Sequence, residues 1–393
     1  MSDLSHSTPP SDVAVVGAST AGLFAATLLA QEGLSVRVYE ASQSLTPLPR
    51  TLIVTSRLPE VLGFLPTEAV LNQVQHIELI SAGASTRVSF RKPDLIIERQ
   101  RLIRLLADRA RQAGAAIVFG QRFAGFDQSA GDSSGHPLWL RFVDAASDHS
   151  RQERADVVIG ADGVHSQVVQ AAAAQLPPSV ALLQALVALP AGSDPHTVRV
   201  WFEPDDTRFF YWLIPESRER AAVGLIADDA AAAKVRLDHF LSAHGFEPLE
   251  YQSSLVAAHR FSSRPWVEVG GRRVHLAGDA AGQVKMTTVG GLVTGLRGAR
   301  SVAAAILGRS DHRPERRELK RELDLHLLLR VILDRFTPAD YDDILRLLNQ
   351  RTKAVLQTHN RDELTRAFWS LPLAQPQLLP LAVRVLLRQV VPG

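Results

Sequence analysis

Three short segments carry the residues whose types and spacing could do chemistry: Gly17-Ala18-Ser19-Thr20-Ala21-Gly22, Gly160-Ala161-Asp162-Gly163 and Gly278-Asp279-Ala280-Ala281-Gly282. The first sits between a short apolar run, Asp12 to Gly17, and a small-residue helical stretch; Gly33 closes that helix and Glu40 ends the next apolar run. A strand, turn and helix of this kind suit a dinucleotide. Gly17 permits the tight turn, Ser19 keeps bulk low where backbone approaches a pyrophosphate, and Gly22 lets helix meet strand. The helix N-terminus at Thr20 and Ala21 then receives the phosphate charge, and Glu40 stands where a carboxylate would meet the ribose hydroxyls. Serine in place of the central glycine weakens the pattern, and a purely structural turn is the plainer alternative. The second and third segments follow short apolar strands, Val157 to Ile159 and Val274 to Leu276, and each alone reads equally as an Asx-type turn. Their joint order argues for one shared site.

Around these turns the periodicity predicts further elements. Arg101 to Gln112 reads as a helix with Leu102, Leu105 and Leu106 on one face, and Ala115 to Phe119 as a strand. Val198 to Glu203, Phe209 to Ile214 and Ala221 to Ile226 alternate and carry aromatics, the texture of an inserted antiparallel sheet. From about Arg313 to Gly393 the pattern is helical, with Leu325, Leu328, Leu329 and Ile332 on one face. Met1 to Ser11 reads as a disordered lead, and Ser129 to Gly135 as a hairpin tip.

The chain has 393 residues and 46% hydrophobic content, enough for two compact units or one large unit with a helical appendage. Its lack of cysteine excludes disulfides, thiolate metal sites, a cysteine nucleophile and a cofactor attached through sulfur, and fits a reducing, cytoplasmic setting. A net charge of +2 argues against nucleic acid. His165, His259 and His275 lack metal-ligand spacing, so no metal is expected. No apolar stretch is long enough to span a membrane. Leu378 to Val391 is amphipathic and broken by Arg384 and Arg388, which suits core packing and leaves peripheral membrane contact open.

Two longer runs narrow the reading. GDAAGQVKMTTVGGLVTGLRGAR spans Gly278 to Arg300, and Phe210-Tyr211-Trp212-Leu213-Ile214-Pro215 is followed, after eight intervening residues, by Gly224. With the three turns, they make the chain resemble the FAD-dependent oxidoreductases of the para-hydroxybenzoate hydroxylase fold over about residues 12 to 310, and within them the geranylgeranyl reductase family. The fold class implied is α/β: a Rossmann-type FAD-binding domain, an inserted antiparallel β-sheet substrate domain, and C-terminal helices. The FAD domain would comprise 12–175 and 266–310, with part of 50–98 serving the substrate side. The substrate domain would be 176–265, and 311–393 the helical region.

The resemblance implies that Asp279, after Gly278, binds the ribityl chain, that Asp162 supports the turn beside the cofactor, and that Arg99 contacts the flavin or its phosphates rather than being a solvated helix-start charge. Gly290 and Gly291 would let backbone approach the flat ring, and the helix beginning near Leu292 would point its positive end at the pyrimidine edge. Thr287 and Thr288 would cap or lead into that helix. Lys285 faces either flavin or solvent. Phe210, Trp212, Ile214 and Pro215 either wall an apolar pocket or are ordinary sheet core. Candidate catalytic groups are limited to Tyr211, Trp212 and Lys285. The expected activity is hydride transfer from reduced flavin N5 to a carbon–carbon double bond of a bulky apolar, isoprenoid-like molecule, with NAD(P)H as one candidate electron donor. Ser166-Gln167-Val168-Val169-Gln170 stands where hydroxylases have an arginine linked with nicotinamide use, so donor docking stays open. Ile214 and Ile226 also depart from the reductase pattern. The alternatives are a monooxygenase acting on an aromatic substrate, a halogenase relative, whose relay lysine could only be Lys92, and a non-catalytic nucleotide-binding relative. Oligomeric state is not legible.

Overall fold

The computed structural model describes residues 11–45, 49–127, 137–358, 370–371 and 373–388. The expected lead up to residue 10 and the hairpin tip at Ser129 to Gly135 lie outside them; Ser11, counted in the lead, already belongs to the first strand.

Two eight-stranded sheets organise the chain. The nucleotide sheet contains β1 (Ser11–Val16) and β2 (Val36–Tyr39), and the second sheet β3 (Thr51–Val54), β4 (Val70–Ile80) and β5 (Ser85–Glu98). The chain then returns to the first sheet with β6 (Ala116–Val118), β7 (Gln121–Phe126), β8 (Leu138–Asp144) and β9 (Ser150–Gly160). It crosses again for β10 (Ser179–Ala188), β11 (Thr197–Trp201), β12 (Tyr211–Pro215), β13 (Arg220–Ala227) and β14 (Pro248–Ala257), and finishes the first sheet with β15 (Trp266–Val269) and β16 (Arg272–Leu276). The first sheet runs β15-β16-β9-β1-β2-β6, its inner pairs parallel, with the β7–β8 hairpin joined to the first half of β9. The second runs β14-β10-β13-β12-β11-β4-β5-β3 and is antiparallel except where β11 meets β4. Three of its eight strands thus come from 51–98.

Helix α1 (Thr20–Gln31) follows β1, and its all-small-and-apolar face packs on α6 (Leu292–Ile306) and α3 (Arg99–Gln112). Between them in the chain come α2 (Arg57–Leu62), α4 (Gln167–Ala171) and α5 (Ala230–Ala243). The core beneath α1, α3 and α6 includes Val15, Leu23, Leu29, Leu102, Leu106, Ile159 and Leu296. Burial at this scale, roughly 1.5–3 kcal/mol per large side chain, is what holds the three helices against the parallel strands.

The C-terminal helices α7 (His312–Leu333), α8 (Pro338–Leu347), α9 (Gln350–Thr358) and α10 (Leu378–Leu387) form a cap. Glu322 of α7 makes a 2.8 Å buried ion pair with Arg297 of α6, while Asp342 of α8 accepts from Ser81 Oγ (2.5 Å) and the Gly83 amide (2.9 Å) at the β4–β5 turn. No helix among the described residues is long and apolar enough to cross a membrane.

Candidate dinucleotide and substrate site

At the C-terminal ends of the parallel strands, the three turns meet. Gly17 has φ +99°, and an added Cβ would lie 2.6 Å from the Ala161 carbonyl oxygen and 2.8 Å from Asp162 Cα. At Gly22 a Cβ would stand 2.3 Å from the Gly17 oxygen. Glycine is therefore forced at both positions, by a left-handed backbone at the first and by contact between helix and strand at the second. The Ala161 amide donates to the Val16 oxygen (2.8 Å) and the Ala277 amide to the Gly160 oxygen (3.0 Å), which ties β1, β9 and β16 together just before their turns. Gly278, φ +67°, leaves 3.1 Å between its missing Cβ and Ala21 Cβ, so the Asp279 turn rests on the start of α1.

The side chains follow from these turns. Ser19 is the N-cap of α1: its hydroxyl accepts from the Gly22 amide at 3.2 Å, leaving the amides of Thr20 and Ala21 at the helix mouth. Glu40 accepts from the Ala18 amide (2.9 Å) and the Ser42 amide (3.0 Å), holding the first turn to the end of β2. Asp162 accepts from Ser166 Oγ (2.6 Å) and the Val168 amide (3.1 Å), organising the start of α4; burial pushes its carboxyl up. Asp279 is likewise pushed up by burial, against the pull of Arg50 and Arg99.

Arg50 is the residue that motif reading missed. Burial, then the neighbouring Arg99 charge, pushes its guanidinium down to about 10, with Asp279 opposing. Its Nε is buried and meets no partner among the described residues. Arg99, at the first position of α3, donates its amide to the Arg50 oxygen (2.9 Å), and burial lowers its guanidinium too. Both arginines thus act on the Asp279 carboxylate, and Glu98 draws on Arg99 as well. Nothing around Arg50 marks it in the sequence except its place just before a short strand. Arg101 and Arg104 are exposed, as expected of surface charges.

The loop after Asp279 folds back on itself, Lys285 pairing with Gly290 as an isolated antiparallel bridge. Lys285 is 7% exposed, which removes the solvent-facing alternative. Thr287 and Thr288 do not cap α6: Gly291 is the N-cap without a side-chain bond, and Thr287 Oγ1 lies 2.6 Å from His326 Nδ1 of α7. The turn between Thr288 and the helix spends three more residues, which carries both threonines away from the N-terminus. A Cβ at Gly291 would come 2.9 Å from Val284 Cγ2 and 3.3 Å from Asp279 Oδ1; at Gly290 the nearest atom would be 3.4 Å away. Gly291 is packed by necessity, whereas a Cβ at Gly290 would make only ordinary van der Waals contact with Thr288 and Lys285.

On the second sheet, Trp212 and Ile214 share one face of β12 with Phe209 nearby and Phe210 packed alongside, and their cluster includes Val284 and Val289 of the loop. Pro215 is buried at the strand's end. Tyr211 points the other way. Its ring stacks on Phe240 of α5 at 4.1 Å, and its hydroxyl donates to Asp206, so the period of two removes it from the Trp212 face. Gly224 lies opposite Trp212 in register, and a Cβ there would sit 2.5 Å from Trp212 Cζ2, which explains the glycine's spacing after the aromatic strand. Trp212 Nε1 is buried with no partner among the described residues. His259 is structural as expected, its ring held between the Gly282 oxygen (3.0 Å) and Asp324 Oδ1 (2.9 Å).

The donor set fits an elongated dinucleotide with a flat ring. Open amides and two arginines suit a pyrophosphate, and an orphaned guanidinium nitrogen and indole nitrogen mark a lining that a ligand would complete.

The comparisons agree with this fit. A family model described as an FAD binding domain matches residues 10–309. Digeranylgeranylglycerophospholipid reductase 2 of Methanothermobacter thermautotrophicus is 27% identical over 364 residues, 86% of this chain and 91% of that protein. A crystal structure of a geranylgeranyl bacteriochlorophyll reductase-like protein from Thermoplasma acidophilum superposes with TM-score 0.78 at 17% identity, covering 95% of this chain and 99% of the other. The structure of p-nitrophenol 4-monooxygenase from Pseudomonas putida superposes with TM-score 0.63 at 16% identity, covering 96% and 97%.

Proposed function

Because the chain belongs to the FAD binding domain family, we propose that it is an FAD-dependent oxidoreductase that reduces a carbon–carbon double bond of a bulky, isoprenoid-like molecule. The observation that carries this reading is the buried apolar cluster of Trp212, Ile214, Phe209 and Val256, which runs on to Val284 and Val289 of the loop that follows Asp279. Apolar side chains of that composition would suit a hydrocarbon chain held beside a redox ring. The relative from Methanothermobacter is named as a reductase of a geranylgeranyl lipid, which supports the same substrate class.

Bound FAD supplies the hydride, from N5 of its reduced ring. The chain's part is to hold and orient. The amides at Thr20 and Ala21, with Arg50 and Arg99, would bind the pyrophosphate; Glu40 would serve the adenosine ribose and Asp279 the ribityl hydroxyls. The start of α6 has no side-chain cap, and its free amides would favour negative charge at the pyrimidine edge. Gly290, which carries no side chain, would let backbone approach the ring. Tyr211 faces α5 and is poorly placed to protonate the second carbon; Lys285, buried in the loop beside Gly290, suits that task better. Leu379, Val383, Leu386 and Leu387 of α10 are exposed on one helical stripe, which supports contact with a lipid surface as the source of such a substrate.

The test is turnover of chemically reduced, FAD-loaded protein with an isoprenoid lipid without air. A product heavier by two hydrogens supports the proposal. An oxygen-bearing product formed only in air favours the monooxygenase reading, and a protein that takes up no FAD would remove both.

A further inference from the structure

Behind α6, at the edge of the nucleotide sheet, lies a cleft that the FAD reading does not use. It comprises two adjoining cavities of about 280 and 260 Å³ between β15–β16, α6 and α7. The floor is Trp266, His275, Gln283 and Ser301, and the rim carries Arg264, Arg273, Arg316 and Arg317. No carboxylate lines either cavity. The acidic residues of α7 are engaged elsewhere: Glu315 with Arg300, Glu322 and, at 4.0 Å, Glu318 with Arg297, and Asp324 with His259 and Lys320.

The cationic groups are gathered rather than dispersed. Guanidinium carbons of Arg273 and Arg316 stand 5.1 and 5.2 Å from the centroid of the one Trp266 ring, an arrangement that fixes two like charges around one indole. Among the described residues neither has an ion-pair partner. Like charges held together without a counter-charge are unfavourable, and the cost is visible on their neighbours: burial, then Arg273 and Arg316, pushes the His275 imidazole down to about 4, and burial, then Arg273, Arg313 and Arg317, lowers Arg316 itself. A cleft with amide and indole on its floor and unpaired guanidinium groups at its rim is complementary to a compact, multiply charged oxyanion.

We propose that this cleft is a second ligand site, which binds a phosphate monoester or diphosphate group through Arg273 and Arg316 with His275 beneath. The site is independent of which reaction the flavin performs. Two sources share this chemistry, the diphosphate head of an isoprenoid and the ribose phosphate of a nicotinamide dinucleotide. Gln283 links the cleft to the cofactor turn: its side-chain oxygen accepts from the Gly278 amide at 2.8 Å and fills the space at Gly298. Occupancy would therefore be felt at the residue preceding Asp279.

The experiment is calorimetric titration of the FAD-loaded protein with inorganic diphosphate, so that the Gly17 turn is already filled. Saturable binding is expected, weakened about tenfold or more by Arg316→Gln or Arg273→Gln, largely kept by Arg316→Lys, and unaffected by Arg111→Gln, which removes a paired charge elsewhere. Flavin content and melting temperature of each variant establish that it is folded. Adenosine 2′,5′-bisphosphate and geranyl diphosphate form the second arm: whichever binds more tightly than inorganic diphosphate identifies the source. Absence of saturable binding to the folded wild-type protein, or equal loss in Arg111→Gln, would overturn the proposal.

Discussion

Arg50 and Arg99 lean on the same buried carboxylate, and each is held with its charge partly desolvated. Neutralising one relieves repulsion in the empty site and removes a charge-assisted bond in the filled one. Arg50→Gln and Arg99→Gln are therefore expected to leave the melting temperature of the FAD-free protein unchanged or slightly raised, while weakening FAD by about 10- to 100-fold. Flavin fluorescence titration measures this, and an unaltered affinity would detach both residues from the cofactor. At this scale the sequence was informative wherever a backbone constraint selects glycine. Gly17, Gly22, Gly278 and Gly291 are all where close approach or a left-handed turn demands them. It was silent on Arg50, because a guanidinium that becomes functional only by meeting Asp279, distant in the chain, carries no local mark.

Strand β12 exposes what an element adds to its residues. Six consecutive apolar or aromatic residues from Phe210 to Pro215 carry no polar alternation to say which faces which core; the register against β13 decides it. Trp212 is set over Gly224, and Tyr211 is turned to α5. Gly224→Ala places a Cβ 2.5 Å from Trp212 Cζ2 and 2.6 Å from the Leu183 oxygen, so the indole or the strand must move. A loss of roughly 1–3 kcal/mol is expected, read as a lowered melting temperature with a changed tryptophan emission. Thermal unfolding identical to wild type would mean that the indole has another place to go. The loop after Asp279 teaches the same lesson differently: paired threonines before a helix suggest capping, yet the Lys285–Gly290 bridge turns the backbone first and gives Thr287 to His326.

Across the whole molecule, the C-terminal cap joins the two sheets, and two carboxylates of α8, Asp340 and Asp343, hold its last helix. Asp340 of α8 is fully buried. It accepts from the Thr337 amide (2.9 Å), which caps its own helix, and from Arg384 (2.8 Å) and Arg388 of α10. Burial alone would raise its carboxyl, but the bonds from Arg388 and Thr337 outweigh this and hold it well below the ordinary carboxylate range. A depressed folded value means that the stabilisation is fully present above the unfolded value, about 4, and is lost progressively as pH falls from there to the much lower folded value. Asp340→Asn should cost about 2 kcal/mol at neutral pH, and the gap between its melting curve and that of wild type should narrow steadily as pH drops below about 4. A gap that persists at low pH would assign the effect to packing rather than to charge.

What the sequence by itself determined was the local grammar of the nucleotide domain: a strand, a glycine turn and a helix, twice followed by an aspartate turn, each dictated by backbone sterics within a few residues. The tertiary structure alone decided which distant groups share a space. It joined 51–98 to the second sheet, brought Arg50 and Arg99 to Asp279, turned Tyr211 aside, and gathered Trp266, Arg273 and Arg316 into one cleft. The division has a physical cause, since sterics act between neighbours in the chain, whereas burial and charge act between neighbours in space.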